Sequence, residues 1–163
     1  LKAKNEMSLE DLKEELSKIV EPGNMVPRNY EQDGCLLEIK AKADQIEAVA
    51  KAAREADCFL ESITAADFTN GPQLIYLFNS CTSISRVLVR VQLSRGESVA
   101  SIGSIYDAAL WYEREVFELF SIRFDNHPDL RRLLLPEDAD FYPLLKDYGK
   151  VHAFRSTEEI YGE

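Results

Sequence analysis

CFLESITAADFTNGPQLIYLFNSCTSISRVLVRVQLS, Cys58–Ser94, is the stretch over which the hydrophobic period turns from helical to alternating. Cys58–Phe68, Gln73–Cys81 and Ser85–Ser94 are rich in β-branched and aromatic residues, which suit a pleated, half-buried surface. Asn70-Gly71-Pro72 and the Ser/Thr cluster around Thr82 break the runs at hairpin length, so three sequential antiparallel strands are expected. In the last of them Val87, Val89 and Val91 alternate with Arg86, Leu88, Arg90 and Gln92, which leaves one face mostly wet.

Upstream, Ser8 is placed to cap a helix with Leu9, Leu12, Leu16 and Ile19 on one stripe, ended by Pro22-Gly23. MVPRNY and CLLEIKA read as two short strands around a Gln32-Asp33-Gly34 turn, with Pro27 demoting the first to an edge. A second helix follows, with Ile46, Val49, Ala50 and Ala53 on one side and Asp44 near its start. The order helix–strand–strand–helix–three strands implies an α+β domain of two layers, helices on one face of a mixed sheet. A long helix and an extended C-terminal tail come after it.

The composition excludes several function classes. A chain of 163 residues suits one core, and no run approaches the roughly 18 apolar residues of a membrane span. The net charge of −10, with Lys and Arg scattered, argues against nucleic-acid binding. Cys35, Cys58 and Cys81 lie far apart, with no paired spacing for zinc or an iron–sulfur cluster, so they are read as small buried or half-buried thiols and no cofactor is expected. Leu1–Glu6 read as a lead ahead of Met7, and with no apolar signal core before it the protein is expected to be cytoplasmic.

Downstream stands WYEREVFELFSIRFDNHPDLRRLLLPED, Trp111–Asp138. At helical spacing Ile105, Ala108, Ala109, Tyr112, Val116, Leu119 and Phe120 form one apolar stripe, and Tyr106, Leu110 and Phe117 a second. Glu113 falls between them. A carboxylate there either reaches water at the rim or finds a partner, for which Arg131 and Arg132 are the candidates. Arg114 and Glu118, four residues apart, are placed on the opposite, wet side with Trp111 and are expected to pair. His127-Pro128-Asp129 reads as a rigid turn ahead of Arg131 and Arg132, with Pro136 as the stop.

The run ERE-x-F-x-LF-x-I-x-F-x-x-HPDLRR-x-LLPED resembles the C subunit of the proton-pumping NADH:quinone oxidoreductases, respiratory complex I, and its relatives in membrane-bound energy-converting hydrogenases. The resemblance covers Trp111 to Tyr148. It implies a peripheral-arm subunit without a redox centre of its own, docked on a nickel-hydrogenase-like large subunit and held in register with a ferredoxin-like iron–sulfur subunit. It also implies a place on the inner face of the cell membrane through that complex. The motif falls on Glu113, Arg114, Glu115, Phe120, His127, Pro128, Asp129, Leu130, Arg131 and Arg132, with Trp111 and Tyr148 as further docking residues. Two departures stand out: Tyr142 and Leu145 replace the His and Arg of the quinone branch's GHPLRKD-like segment, and Ser121 replaces the Gly of its LFGI run. With the short chain, they favour the hydrogenase branch, including the carbon-monoxide-induced type.

The expected division is an α+β domain over residues 1–124 and a partner-docking tail over 125–163, of which Asn126–Arg155 order on the partner. The rival reading is a free-standing enzyme with His127, Asp129 and Glu113 as an acid–base group.

Overall fold

The computed structural model describes residues 9–81 and 85–148. The opening stretch is an antiparallel ladder of three strands, Cys58–Phe68, Gly71–Ser80 and Val87–Gln92. Counting from the N-terminus these are β3, β4 and β5, because two shorter strands, β1 (Met25–Pro27) and β2 (Leu37–Ala41), precede them. The sheet order is β1-β2-β5-β4-β3. β2 lies parallel to β5, Leu37 opposite Val87 and Ala41 opposite Val91, and that one pairing makes the sheet mixed. Gly71 opens β4 at φ 114, with the Leu93 carbonyl oxygen standing where a Cβ would go, so the turn before β4 admits only glycine.

Helices cover one face. α1 (Leu9–Ser17) presents Leu12 and Leu16, and α3 (Ile46–Glu55) presents Ile46, Val49, Ala50 and Ala53, as their spacing predicts. They join Leu74, Tyr76 and Phe78 of β4 and Val87, Val89 and Val91 of β5 in one core. Between them a single helical turn, α2 (Tyr30–Asp33), carries the chain from β1 to β2 where a tight turn is expected. The Asn29 side chain caps it, accepting from the Glu31 N–H at 3.0 Å. Asp44 lies in the 3-10 turn Ala43–Gln45 ahead of α3 rather than in the helix. Ser8 and the Thr82 cluster fall outside the described residues, the latter at 82–84.

The long helix, α4, spans Ala109–Phe120, shorter than its stripe suggests. Ile105 and Tyr106 belong to a preceding turn whose N–H groups both bond the Ile102 carbonyl at 3.0 Å. A turn closed by such bonds copies the helical period, so sequence alone joins it to the helix. The Tyr106 hydroxyl donates to the Cys58 carbonyl at 2.9 Å, and the Tyr112 hydroxyl to the Glu61 carbonyl at 3.0 Å. Glu61 sits at an irregularity in β3, and these two bonds supply partners for carbonyls on an edge strand.

Two three-residue strands, β6 (Ser98–Ala100) and β7 (Arg123–Asp125), pair in parallel on either side of α4. Three residues are too few for alternation to register as a strand in sequence. β7 straddles the expected boundary at 124/125 and ties the chain after α4 to the segment before it.

Cys35 and Cys58 are buried and Cys81 is exposed; burial pushes the first two thiols up. Among the described residues no helix is long and apolar enough to cross a membrane, and no group of three or more His, Cys, Asp and Glu is placed to hold a metal.

Candidate functional site

α4 turns two sides to two parts of the molecule. On the first, Glu113 is fully buried between the two apolar stripes. Its partners are not arginines. The Ser101 hydroxyl donates to it at 2.6 Å and the Ile102 N–H at 2.8 Å, both just after β6. The His127 ring stands 3.9 Å away. Burial pushes the Glu113 carboxyl up, while the Ser101 and Ile102 bonds and the nearby imidazole pull it back.

The second side overturns the expectation of a wet face. Glu118 is as buried as Glu113, and it accepts from three successive backbone N–H groups: Leu133 at 2.9 Å, Leu134 at 2.9 Å and Leu135 at 3.1 Å. Arg114 does not pair with it. Its guanidinium donates to the Arg131 carbonyl at 3.0 Å and the Arg132 carbonyl at 2.7 Å, and lies over the Trp111 ring at 5.4 Å. One helical turn thus supplies a donor for the carbonyls of 131–132 and an acceptor for the amides of 133–135. The opposite charges that suggest a mutual pair in sequence are instead spent on an irregular segment whose backbone needs partners.

Arg131 and Arg132 are accordingly not the partners of Glu113. Arg131 is exposed and bonds Asp129 at 2.8 Å, which holds the Asp129 carboxyl below its ordinary value. Arg132 reaches the Phe141 carbonyl at 3.1 Å and lies over the Tyr142 ring at 5.2 Å. The Glu113 carboxylate is met instead by the chain just before α4, directly through the Ile102 amide and through the Ser101 side chain, whose hydroxyl oxygen accepts from the Gly103 N–H at 3.1 Å. Backbone donors carry no sequence signature, which is why the position of Glu113 stands out in the sequence while the Ile102 amide that meets it does not.

His127 locks a turn. Its Nδ1 accepts from the Asp129 N–H at 3.0 Å and its Nε2 bonds the Leu110 carbonyl at 3.0 Å, which fixes the proton on Nε2. Of the three residues of the acid–base reading, Glu113 and His127 meet in the interior at 3.9 Å, both side chains shut off from solvent, while the Asp129 carboxylate stands apart, facing solvent with Arg131. Of the other motif residues, Phe120 is in the core, Leu130 packs against it, Glu115 is half-buried and Pro128 is exposed.

From Arg131 to Tyr148 the chain forms a strap across α4. The Leu144 N–H bonds the Leu119 carbonyl at 3.1 Å and the Lys146 N–H bonds Asp67, in β3, at 3.0 Å. Tyr142 meets Phe117 edge-on and Tyr148 stacks on Phe141 at 5.3 Å. The outer surface of helix and strap carries Trp111, 60% exposed, and Leu134, 71% exposed, with Leu144 and Tyr148 also exposed. Residues 149–163 of the expected tail lie outside the described residues. α4 ends on Ser121 at φ 61, a left-handed conformation that glycine adopts without strain and serine does not.

The profile of the family described as respiratory-chain NADH dehydrogenase, 30 Kd subunit, matches residues 39–153. The chain is similar to the C subunit of NADH-quinone oxidoreductase from Parvibaculum lavamentivorans, 34% identical over 119 residues, 69% of this chain and 60% of the relative. It is 40% identical over 92 residues to the same subunit from Cereibacter sphaeroides, covering 55% of this chain and 46% of the relative. With the mitochondrial 30.4 kDa subunit of NADH-ubiquinone oxidoreductase of Neurospora crassa the identity is also 40% over 92 residues, 55% of this chain and 32% of that one. The chain therefore spans about half the length of the bacterial relatives. Among solved structures, the trypsin-resistant fragment of Nqo5 superposes with a TM-score of 0.58 at 23% identity, over 73% of this chain and 98% of the fragment. A chain of the membrane-bound sulfane sulfur reductase, an archaeal respiratory membrane complex, gives 0.68 at 21% identity, over 92% of this chain and 89% of that one. At such identities these two likenesses establish the fold alone.

Proposed function

The chain belongs to the family of the 30 kDa subunit of respiratory-chain NADH dehydrogenase, and from that membership we propose that it is a non-catalytic structural subunit in the peripheral arm of a complex I-related membrane oxidoreductase. The observation that carries this reading is the clasp of Arg114 and Glu118 on the strap. It spends two charged side chains, one fully buried, on shaping backbone rather than on lining a cavity. Helix and strap also leave four large apolar side chains exposed, Trp111, Leu134, Leu144 and Tyr148, residue types that serve as anchors when an interface buries them. The partner is the hydrogenase-like large subunit, with a ferredoxin-like iron–sulfur subunit alongside. Electrons pass through those neighbours while this subunit fixes their spacing. It reaches the membrane only through the complex, on its inner face.

The motif residues divide the work. Glu113, His127 and Phe120 hold the base of the site, Arg114, Glu118 and Arg132 hold the strap, and Trp111, Asp129, Arg131 and Tyr148 face the partner. The quinone-reducing branch is supported by the named sequence relatives. The hydrogenase branch, favoured on sequence grounds by the departures at Ser121, Tyr142 and Leu145, is the second reading: Tyr142, where the quinone branch has its motif, is used within the chain against Phe117 and Arg132.

Purification from the organism's own membranes through a tag on this chain tests the proposal. A large subunit and an iron–sulfur subunit are expected to elute with it in fixed proportion. Elution of this chain alone from membranes that retain an active complex would overturn it.

A further inference from the structure

Among the described residues two buried side-chain polar atoms lack a hydrogen-bond partner, Asp67 Oδ1 and the Tyr76 hydroxyl. The first is met by a charge, the Arg95 guanidinium at 3.1 Å. The second has no such recourse. Tyr76 is fully buried in the middle of β4, with Ile63 of β3 and Val89 of β5 beside it, both buried and apolar. Asp67 stands opposite Pro72, four residues along the strand and roughly 13 Å away at the rise of a strand. What reaches the phenol is Glu113: burial first, and then that carboxylate, push Tyr76 well above its ordinary value. Glu113 has capacity to spare. The Ser101 hydroxyl and the Ile102 N–H take two of the roughly four acceptor positions that a carboxylate offers. The His127 Nε2, at 3.9 Å, is too far to bond the same oxygen.

We infer that Tyr76 and Glu113 hold one internal water between them, which accepts from the Tyr76 hydroxyl and donates to the carboxylate. A hydroxyl with no acceptor and a carboxylate with unused acceptor positions, both shut off from solvent, are the setting in which buried waters are found. Left dry, the hydroxyl forfeits the hydrogen bonds it makes to solvent in the unfolded chain. The chemistry of the site selects the ligand. An anion is repelled by Glu113, and a metal ion would need further ligands, whereas no group of three or more His, Cys, Asp and Glu is placed to hold one among the described residues. Water both accepts and donates. The bridge joins β4 to α4 and, through Ser101 and Ile102, to the chain that leads into α4. The seat of α4 on the sheet is therefore set by a polar cluster as well as by the apolar stripes, whatever partner the outer surface meets.

A high-resolution crystal structure of the full chain tests the position of the water, and the Tyr76→Phe variant tests its role. One ordered water is expected within about 3.2 Å of both the Tyr76 hydroxyl oxygen and a Glu113 carboxylate oxygen. Tyr76→Phe keeps the ring and its packing and removes only the oxygen. Its unfolding equilibrium constant in urea is expected to rise about tenfold, because the water loses a partner, whereas removal of a dry hydroxyl would leave that constant unchanged or lower it. A third reading separates the bridge from packing. Since the water donates to the ionised carboxylate, the Glu113 titration followed by carbon-13 NMR should move up by at least about half a pH unit in Tyr76→Phe. A direct bond between the two side chains, a gap with no ordered water, a Tyr76→Phe chain that unfolds no more readily than the parent, or an unmoved Glu113 titration would each overturn the inference.

Discussion

Glu113 and Glu118 share an α-helix, a full burial and a charge, yet their environments differ. Glu113 sits against Ser101 and Ile102 in the core, so Glu113→Ala leaves a hydroxyl and an amide without an acceptor and opens a void; a loss of about 3 kcal/mol in urea unfolding is expected. Its pH dependence has a definite sign. Burial raises the folded carboxyl above its unfolded value near 4.5, so its contribution is fully present below that pH and is lost as pH rises through the raised folded value. Glu113→Gln is expected to remove this part of the slope, read from stability measured between pH 4 and 8. At Ser121 the direction reverses. Ser121→Gly relieves a left-handed φ of 61 and is expected to raise stability by about 0.5–1 kcal/mol, read as a higher denaturant midpoint with unchanged slope.

α4 and the strap form the element on which the functional reading turns. Glu118→Ala removes one acceptor from three amides at once, and the strap rather than the core should open. Hydrogen exchange of Leu133–Leu135 is expected to quicken by about ten- to a hundredfold, the equivalent of about 1.4–3 kcal/mol, with β4 and β5 unchanged. Uniform acceleration across the sheet would mean that the strap is part of the global folding unit. The limits of the sequence are clearest here. Glu113 is legible as an anomaly because apolar stripes flank it on both sides, whereas helical spacing sets Glu118 opposite those stripes with Trp111 and Arg114, a side that reads as wet. What buries Glu118 is a segment fifteen residues further on that has no period of its own. An acceptor for backbone amides is invisible when the amides belong to an irregular chain.

At the scale of the molecule, the ladder of β3, β4 and β5, the edge strand with Pro27 and the core stripes of α1 and α3 follow from alternation and helical spacing. The parallel insertion of β2 beside β5 does not, because it depends on which strands meet after the chain has crossed over. The result is a two-layer domain with one side built for the strap. The central claim is that the clasped surface docks a partner and performs no chemistry. Its most direct measurement is assembly of the Trp111→Ala/Leu134→Asp variant, both changes being on exposed side chains. Unfolding free energy should stay within about 0.5 kcal/mol of the parent while recovery of the large subunit with the tagged chain falls by more than about tenfold. Undiminished recovery of the large subunit, with the same unfolding free energy, would contradict it.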